Sequence, residues 1–448
     1  MGMTPMPLRQ RVGAGKHIKT RVIVWPIGNK PQPAAGQKRV DIDVQSLEFN
    51  ADKKGPLDGV RVLDLTRLVA GNMLTLQLAD FGAEVIKIEP LGKGDPLRAW
   101  TDDGIATFWK VYCRNKKSIA LDFRSKDAAK IILALAEKAD VLVENFRPGR
   151  LEQMGLGPEI LHARNPTLVV VRVSGFGQTG PYSQRPGFGT LVEAMSGFAN
   201  RNGFPDRPPL VPPLALADMI AGLQGAYATM VALREVELKG GQGQVIDLSL
   251  LEPILSTLGP EAFSYKVTGE LKERVGNRSN TSAPRDVYLA KDGKYVALSA
   301  SIQAMAERVF RSIGRADMID DPRYKTNADR VARRDEVNDI VAEWISVRKR
   351  DDVLAVFEEA GITASPVYDV SDIIVDEHIN ERGIIVNLPD DDVGQAPQHN
   401  VIPRLSKTPG GFRNRAPELG EHTEYFLSDA GFSATEIESL RAKNIIEG

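Results

Sequence analysis

From Gly55 onward, apolar residues recur in short blocks set apart by stretches long enough for a helix. Val60 to Leu65 reads as a strand, Gly71 to Phe81 as a helix carrying Met73, Leu76 and Leu78, and Glu84 to Ile88 as a second strand. Ser118 to Phe123, Asp140 to Val143 and Thr167 to Val173 predict further strands, with a helix over Lys126 to Ala139. Strands that alternate with helical segments of about 10 to 15 residues imply βαβ units and a mainly parallel sheet covered on both faces. The body therefore begins as an α/β domain.

A long helix is predicted from Asp218 through Leu233 to Leu238, stopped by Gly240 and Gly241, and Gln244 to Ser249 resumes as a strand. Residues 265 to 285 are polar and without period, which suits a linker. A second module follows, with strands at Val287 to Leu289 and Tyr295 to Ser299 and helices near 302 to 312, 334 to 346 and 351 to 360. The segment Pro389 to Pro397, with Asp390, Asp391 and Asp392, reads as a solvated loop, and one last helix covers 434 to 443. These divisions give a basic, flexible extension over 1–55, a large domain over 56–255, a linker over 256–279, a small domain over 280–375, and a chain that returns over 376–448.

Composition narrows the class. The 448 residues are 42% apolar and 26% charged, which can bury a large core. One cysteine, Cys113, permits neither an intramolecular disulfide nor a thiolate-rich zinc site, and fits a reducing cytoplasm. No uninterrupted apolar run approaches the ~18 residues that span a bilayer, so no membrane partner is expected. The net charge of −2 hides an asymmetry: residues 1 to 40 hold eight basic residues and no acid, so the remainder carries −10. Such an acidic body argues against a nucleic-acid surface.

Most familiar chemistries lack their residues. The histidines, His17, His162, His378, His399 and His422, lie far apart, so no metal site is expected, and no nucleophile-elbow motif occurs. Cys113 reads as a small core residue. Gly175-Phe-Gly-Gln-Thr-Gly180 follows a strand as a dinucleotide fingerprint would, but Pro181, Pro186 and Gly187 prevent the helix that must hold a pyrophosphate. A glycine-rich active-site loop is the better reading. Asp218 opens the long helix in an apolar setting, with Gly222 and Gly225 allowing another backbone close. Periodicity leaves two roles open: a helix cap, or a carboxylate nucleophile kept ionised by the helix dipole.

The ordered motifs Pro56-Leu-Asp-Gly-Val-Arg-Val-Leu-Asp-Leu-Thr66, Ala70-Gly71, Asp80 to Glu89, Asn115-Lys-Lys-Ser118, Val143-Glu-Asn-Phe-Arg-Pro-Gly149 and Gly180-Pro-Tyr182 resemble the family III CoA-transferases. That family includes formyl-CoA:oxalate and carnitine CoA-transferases, and 2-methylacyl-CoA racemases share its fold. The resemblance spans roughly residues 56 to 448. It implies a Rossmann-like large domain with a parallel sheet, a smaller α+β domain and an interlocked homodimer. It also implies acyl-CoA and carboxylic acid substrates, with CoA as a substrate and no separate cofactor.

The resemblance makes Asp218 the catalytic residue, forming anhydride and aspartyl-CoA intermediates. It carries CoA contacts onto Leu68, Ala70, Leu121, Arg124, Asn145, Phe146 and Met154. Pro90 and Gln153 stand where formyl-CoA transferase has arginines, which makes Lys93, Arg147 and Arg150 candidate substitutes. The racemases carry a histidine after the glycine matching Gly187, whereas this chain has Phe188, which cannot move a proton. Transfer is therefore favoured over racemisation, and an intact Asp218 argues against a non-catalytic acyl-CoA binding protein. Arg185, Arg201 and Arg207 are candidates for a second substrate carboxylate beside Gly187 and Phe188. The family's glycine-rich lid is replaced by Gly276-Asn-Arg-Ser-Asn-Thr-Ser-Ala-Pro284.

Overall fold

The strands form where apolar runs can be buried on both sides. The computed structural model describes residues 40–448, of which 42–448 make one compact unit; the expectation for the first 39 residues lies outside the described residues. The strands are β1 (Arg61–Asp64), β2 (Glu84–Glu89), β3 (Lys116–Leu121), β4 (Val141–Glu144), β5 (Val169–Ser174), β6 (Val245–Ser249), β7 (Arg285–Leu289), β8 (Tyr295–Ser299), β9 (Ala364–Pro366), β10 (Ile385–Asp390), β11 (Gly394–His399) and β12 (Ile446–Glu447).

The main sheet has seven strands in the order β12-β3-β2-β1-β4-β5-β6. All neighbours are parallel except β12, which returns from the C-terminus to pair antiparallel with β3 through Ile446 and Leu121. The order 3-2-1-4-5-6 is that of a Rossmann-like sheet. Its direction of winding reverses between β1 and β4, and open α/β sheets bind ligands beyond the carboxyl ends of the strands at such a point.

Val62, Leu63, Val141, Leu142, Val169 and Val170 are fully buried, each such side chain contributing about 1.5–3 kcal/mol of transfer free energy. Helix Lys126–Ala136 and the C-terminal helices cover one face. Helices Ala70–Asp80 and Leu216–Lys239 cover the other. The latter two pack backbone to backbone: a β-carbon on Gly222 would lie 2.8 Å from the Ala70 carbonyl oxygen, and one on Gly225 2.4 Å from Leu74 Cδ1. By length and composition the Leu216 helix is also apolar enough to cross a membrane. Here it is a helix of the α/β core, with Ala217, Ala221, Gly222 and Leu233 buried against the sheet layer.

A second core, containing Tyr288, Val296, Phe310, Val341 and Phe357, lies under the antiparallel sheet β7-β8-β9. Three expectations need correction. Residues 265–285 are not wholly irregular, because helix Glu261–Thr268 runs into them and ends at Gly269, whose φ of +70° suits glycine. Pro389 to Pro397 is a hairpin, not a solvated loop: β10 and β11 pair from Ile385–His399 to Asp390–Gly394. Val386 and Leu388 are buried beneath Phe412, and Lys110 holds Asp390 at 2.6 Å. Residues 42–55 belong to this packed body, since Leu47 and Asn387 exchange a backbone bond of 2.9 Å and Asn387 also reaches the Ile42 carbonyl.

Candidate active site

The loops after β1 and β4 meet the Leu216 helix at the carboxyl edge of the sheet and enclose a cavity of about 140 Å³ containing Asp218. Asp218 is not the helix cap. Ala215 occupies that position without a side-chain bond, and Asp218 is the third residue of the helix. The capping work falls to Glu193 from helix Gly189–Met195, whose Oε1 accepts the Ala217 N–H at 3.1 Å. Asp218 is thereby left free to face the cavity.

The backbone amides of Asp218 itself and of Ala70 face its carboxylate, which favours ionisation. Burial opposes this, and the nearby Glu193 charge adds to the opposition, so the Asp218 carboxyl is pushed up to about 6. Space for it exists because residue 189 is glycine: a β-carbon there would lie 2.2 Å from Asp218 Oδ2. The glycine-rich loop is equally constrained. A β-carbon on Gly175 or Gly187 would sit 2.7 Å from the other's Cα, and Gln178 N–H is held by the Asp247 carboxylate at 3.0 Å. No helix begins until Gly189, so the loop does not present a pyrophosphate site.

Leu68, Ala70, Asn145, Phe146 and Arg147 line the cavity on one side, and Arg185, Gly187 and Phe188 on the other. The Arg185 guanidinium lies over the Tyr182 ring, 3.7 Å from its centroid. Other residues singled out by the sequence lie outside this cavity wall. Leu121 is fully buried in the core of the opposite sheet face, and Met154 packs against that same core. Arg124 is exposed and bound to Asp122 at 2.9 Å. Arg150 and Arg207 are not in the cavity wall. Arg201 is committed to the carbonyls of Lys272 and Glu273, both at 2.8 Å. The Gly276–Pro284 segment is anchored by Arg278, which pairs with Asp286 at 2.8 Å and Asp335 at 2.6 Å.

Arg67, Glu193 and Gly189 were not singled out by the sequence. Glu193 had one faint signal, a lone acid within an otherwise apolar helical stretch. The Cys113 thiol is buried and pushed up to about 12 by that burial, so it stays protonated. Among the described residues no group of histidine, cysteine and carboxylate side chains could hold a metal.

The family model for CoA-transferase family III matches residues 57–423. The chain belongs to CoA-transferase family III. Its relatives include a succinyl-CoA:D-citramalate CoA-transferase of Chloroflexus aurantiacus, 39% identical over 395 residues and covering 87% of this chain and 98% of its own. A human succinyl-CoA:glutarate CoA-transferase is 33% identical over 377 residues, covering 84% of this chain and 86% of its own. The crystal structure of a CAIB/BAIF family protein from Brucella suis superposes with a TM-score of 0.74 at 32% identity, covering 84% of this chain and all of that one. The protein is thus a CoA-transferase that moves CoA between carboxylic acids.

Phe188 stands in the cavity wall. Asn145 also acquires a definite task. Its side-chain amide accepts the Arg67 N–H at 3.1 Å and donates to the Arg67 carbonyl at 2.9 Å, so it braces the neighbouring loop.

Proposed function

We propose that this family III enzyme exchanges CoA between a succinyl-CoA-type donor and a second carboxylic acid, with Asp218 as the nucleophile. The observation that carries the reading is the Asp218 carboxylate itself, lodged against Gly189, beside Ala70 and open to the cavity. Asp218 Oδ attacks the donor thioester carbonyl, the C–S bond breaks, and CoA leaves as a thiolate. The thiolate then attacks the Asp218 carbonyl carbon of the mixed anhydride, releasing the donor acid and leaving an aspartyl-CoA thioester. The acceptor carboxylate attacks that thioester, and the returning thiolate takes the acceptor acyl group and restores Asp218.

No net proton or electron moves in this sequence. A general base is therefore not required, which accords with a cavity walled by Phe188 and free of histidine. The Ala70 amide would stabilise charge developing on the aspartyl oxygen. Leu68, Ala70, Asn145 and Phe146 would hold CoA, with Arg147 toward its phosphates. Arg185, beside Gly187 and Phe188, would face a second carboxylate of the acid, in keeping with relatives named for succinyl, citramalyl and glutaryl substrates.

A homodimer is supported by the apolar side chains left uncovered on the Leu216 helix, Tyr227, Val231 and Leu238, and on the Glu261–Thr268 helix, Phe263 and Val267. A cytoplasmic setting is supported by the single buried thiol. The test is a panel of succinyl-CoA, formyl-CoA and acetyl-CoA against varied acids, with new CoA esters followed by mass spectrometry. Exchange by the wild type that is abolished in Asp218→Ala, with a hydroxylamine-sensitive adduct on Asp218, is the expected result. Equal exchange by Asp218→Ala would overturn the mechanism.

A further inference from the structure

The loop Thr66–Val69 carries the Ala70 amide to Asp218, and every peptide at its start is held from outside. Lys87 Nζ donates to the Thr66 carbonyl, and Asn145 brackets Arg67. Leu68 is the unusual member. Its φ is +64°, a conformation that a branched side chain adopts only when its surroundings impose it.

The surroundings are Asp95 and Asn72. Asp95 Oδ1 accepts the Leu68 N–H at 2.9 Å, while Asn72 Nδ2 donates to the Leu68 carbonyl at 2.6 Å and to Asp95 Oδ2 at 2.8 Å. Asp95 Oδ2 is also ion-paired with Lys87 at 3.0 Å. Asp95 is 1% exposed, and Asn72 and Lys87 are fully buried. Asp95 lies outside the cavity wall and cannot touch substrate. It grips the loop two residues before Ala70, which shares the cavity wall with Asp218.

We infer that Asp95 is a positioning residue of the transfer reaction: by fixing Leu68 in its left-handed conformation, it sets the Ala70 N–H against the Asp218 carboxylate. This rests on the reading of Asp218 as nucleophile. A buried carboxylate braced by a lysine suits the task, because its bonds to backbone amides are charge-assisted and rigid. Two features separate positioning from stability alone. Asparagine at 95 would keep an acceptor for Leu68 but turn an N–H₂ group toward Lys87 or Asn72, both donors. Glutamate would keep the charge for Lys87 but move the carboxylate by a methylene and lose its register with Leu68.

The experiment measures single-turnover formation of the aspartyl-CoA adduct from succinyl-CoA as a function of pH in wild type, Asp95→Asn, Asp95→Glu, Asn145→Ala and Arg98→Lys. The groups facing Asp218 that could also shape the profile are Glu193 from the helix beside it and Arg67, Arg147 and Arg185 across the cavity; none is altered. Moving the Ala70 amide away from the carboxylate should slow adduct formation roughly 10- to 100-fold and move the ionisation midpoint of Asp218 upward in the Asp95 variants. Asn145→Ala, at the half-buried outer end of the loop, should do the same if the Asp95 variants fail to fold. Arg98→Lys disturbs the adjoining Arg98–Glu89 pair without touching the loop and should leave the midpoint in place. A wild-type midpoint in every folded Asp95 and Asn145 variant would overturn the inference. Absence of any adduct in the wild type would instead overturn the nucleophile itself.

Discussion

The Asp218 carboxylate occupies the space that a side chain on residue 189 would need: a β-carbon built on Gly189 falls 2.2 Å from Asp218 Oδ2. Gly189 is buried at the start of a helix beside Ala217, so a contact that short is relieved by rotating the Asp218 carboxylate away from it. Gly189→Ala should therefore displace the carboxylate from the Ala70 amide. We expect transfer to fall by about 100-fold, with a stability cost of roughly 1–3 kcal/mol typical of overpacking. Steady-state exchange and urea unfolding measure the two separately. Wild-type exchange in a folded Gly189→Ala protein would show that the carboxylate does not work from this position.

The nucleophile must be ionised, and Asp218 ionises late. Burial first, and then the charge of Glu193, push its carboxyl up to about 6. Adduct formation should consequently rise with pH through that value and level off above it. Glu193→Gln removes the repelling charge while an amide oxygen can still accept the Ala217 N–H. Its rising limb should lie at lower pH than that of the wild type. A limb that stays in place would remove Glu193 from the electrostatics of the site.

These relationships explain what the sequence could convey. Parallel strands buried on both faces are nearly continuous apolar runs, so Val60 to Leu65 and Thr167 to Val173 are plain from the residues alone. The hairpin at 385–399 was not, because its three consecutive aspartates suggested solvent, whereas Asp390 is drawn in by Lys110 from a segment 280 residues away. The same limit applies to the site. An acid near a helix start has the pattern of a cap, and only the Glu193–Ala217 bond shows that another residue does the capping. Leu121 shows the same limit from the other side: the resemblance implies a CoA contact there, and only the fold shows that its side chain belongs to the core.

A buried carboxyl held above its ordinary value costs stability, and the sign is specific. Because the folded-state value is raised, the unfolded chain loses its proton first. Stability is fully present below the ordinary carboxylate range and is lost as pH rises through about 6. Asp218→Asn removes this penalty. It should abolish transfer and yet be more stable than wild type at pH 8, by roughly 3 kcal/mol, with the gain disappearing below about pH 4. Urea midpoints for the two proteins across that range test it. A variant less stable than wild type at pH 8 would mean that the Asp218 hydrogen bonds outweigh the burial of its charge.

Arg185 provides the remaining prediction, which concerns choice of acid. Its guanidinium stacks on Tyr182, and among the described residues no carboxylate pairs with it, whereas Arg201 is spent on Lys272, Glu273 and Glu261. Stacking on a ring leaves the hydrogen-bonding edges of the guanidinium free, and these match a carboxylate in two-point fashion. Arg185→Gln should then lower kcat/KM for succinate and glutarate roughly 10- to 100-fold, the loss associated with one hydrogen bond to a charged group. Butyrate, which lacks the second carboxylate, should be affected little, and Arg185→Lys should recover part of the loss. Equal losses for butyrate and succinate would assign Arg185 to the CoA moiety common to both reactions, and no loss for either would leave it as a surface residue.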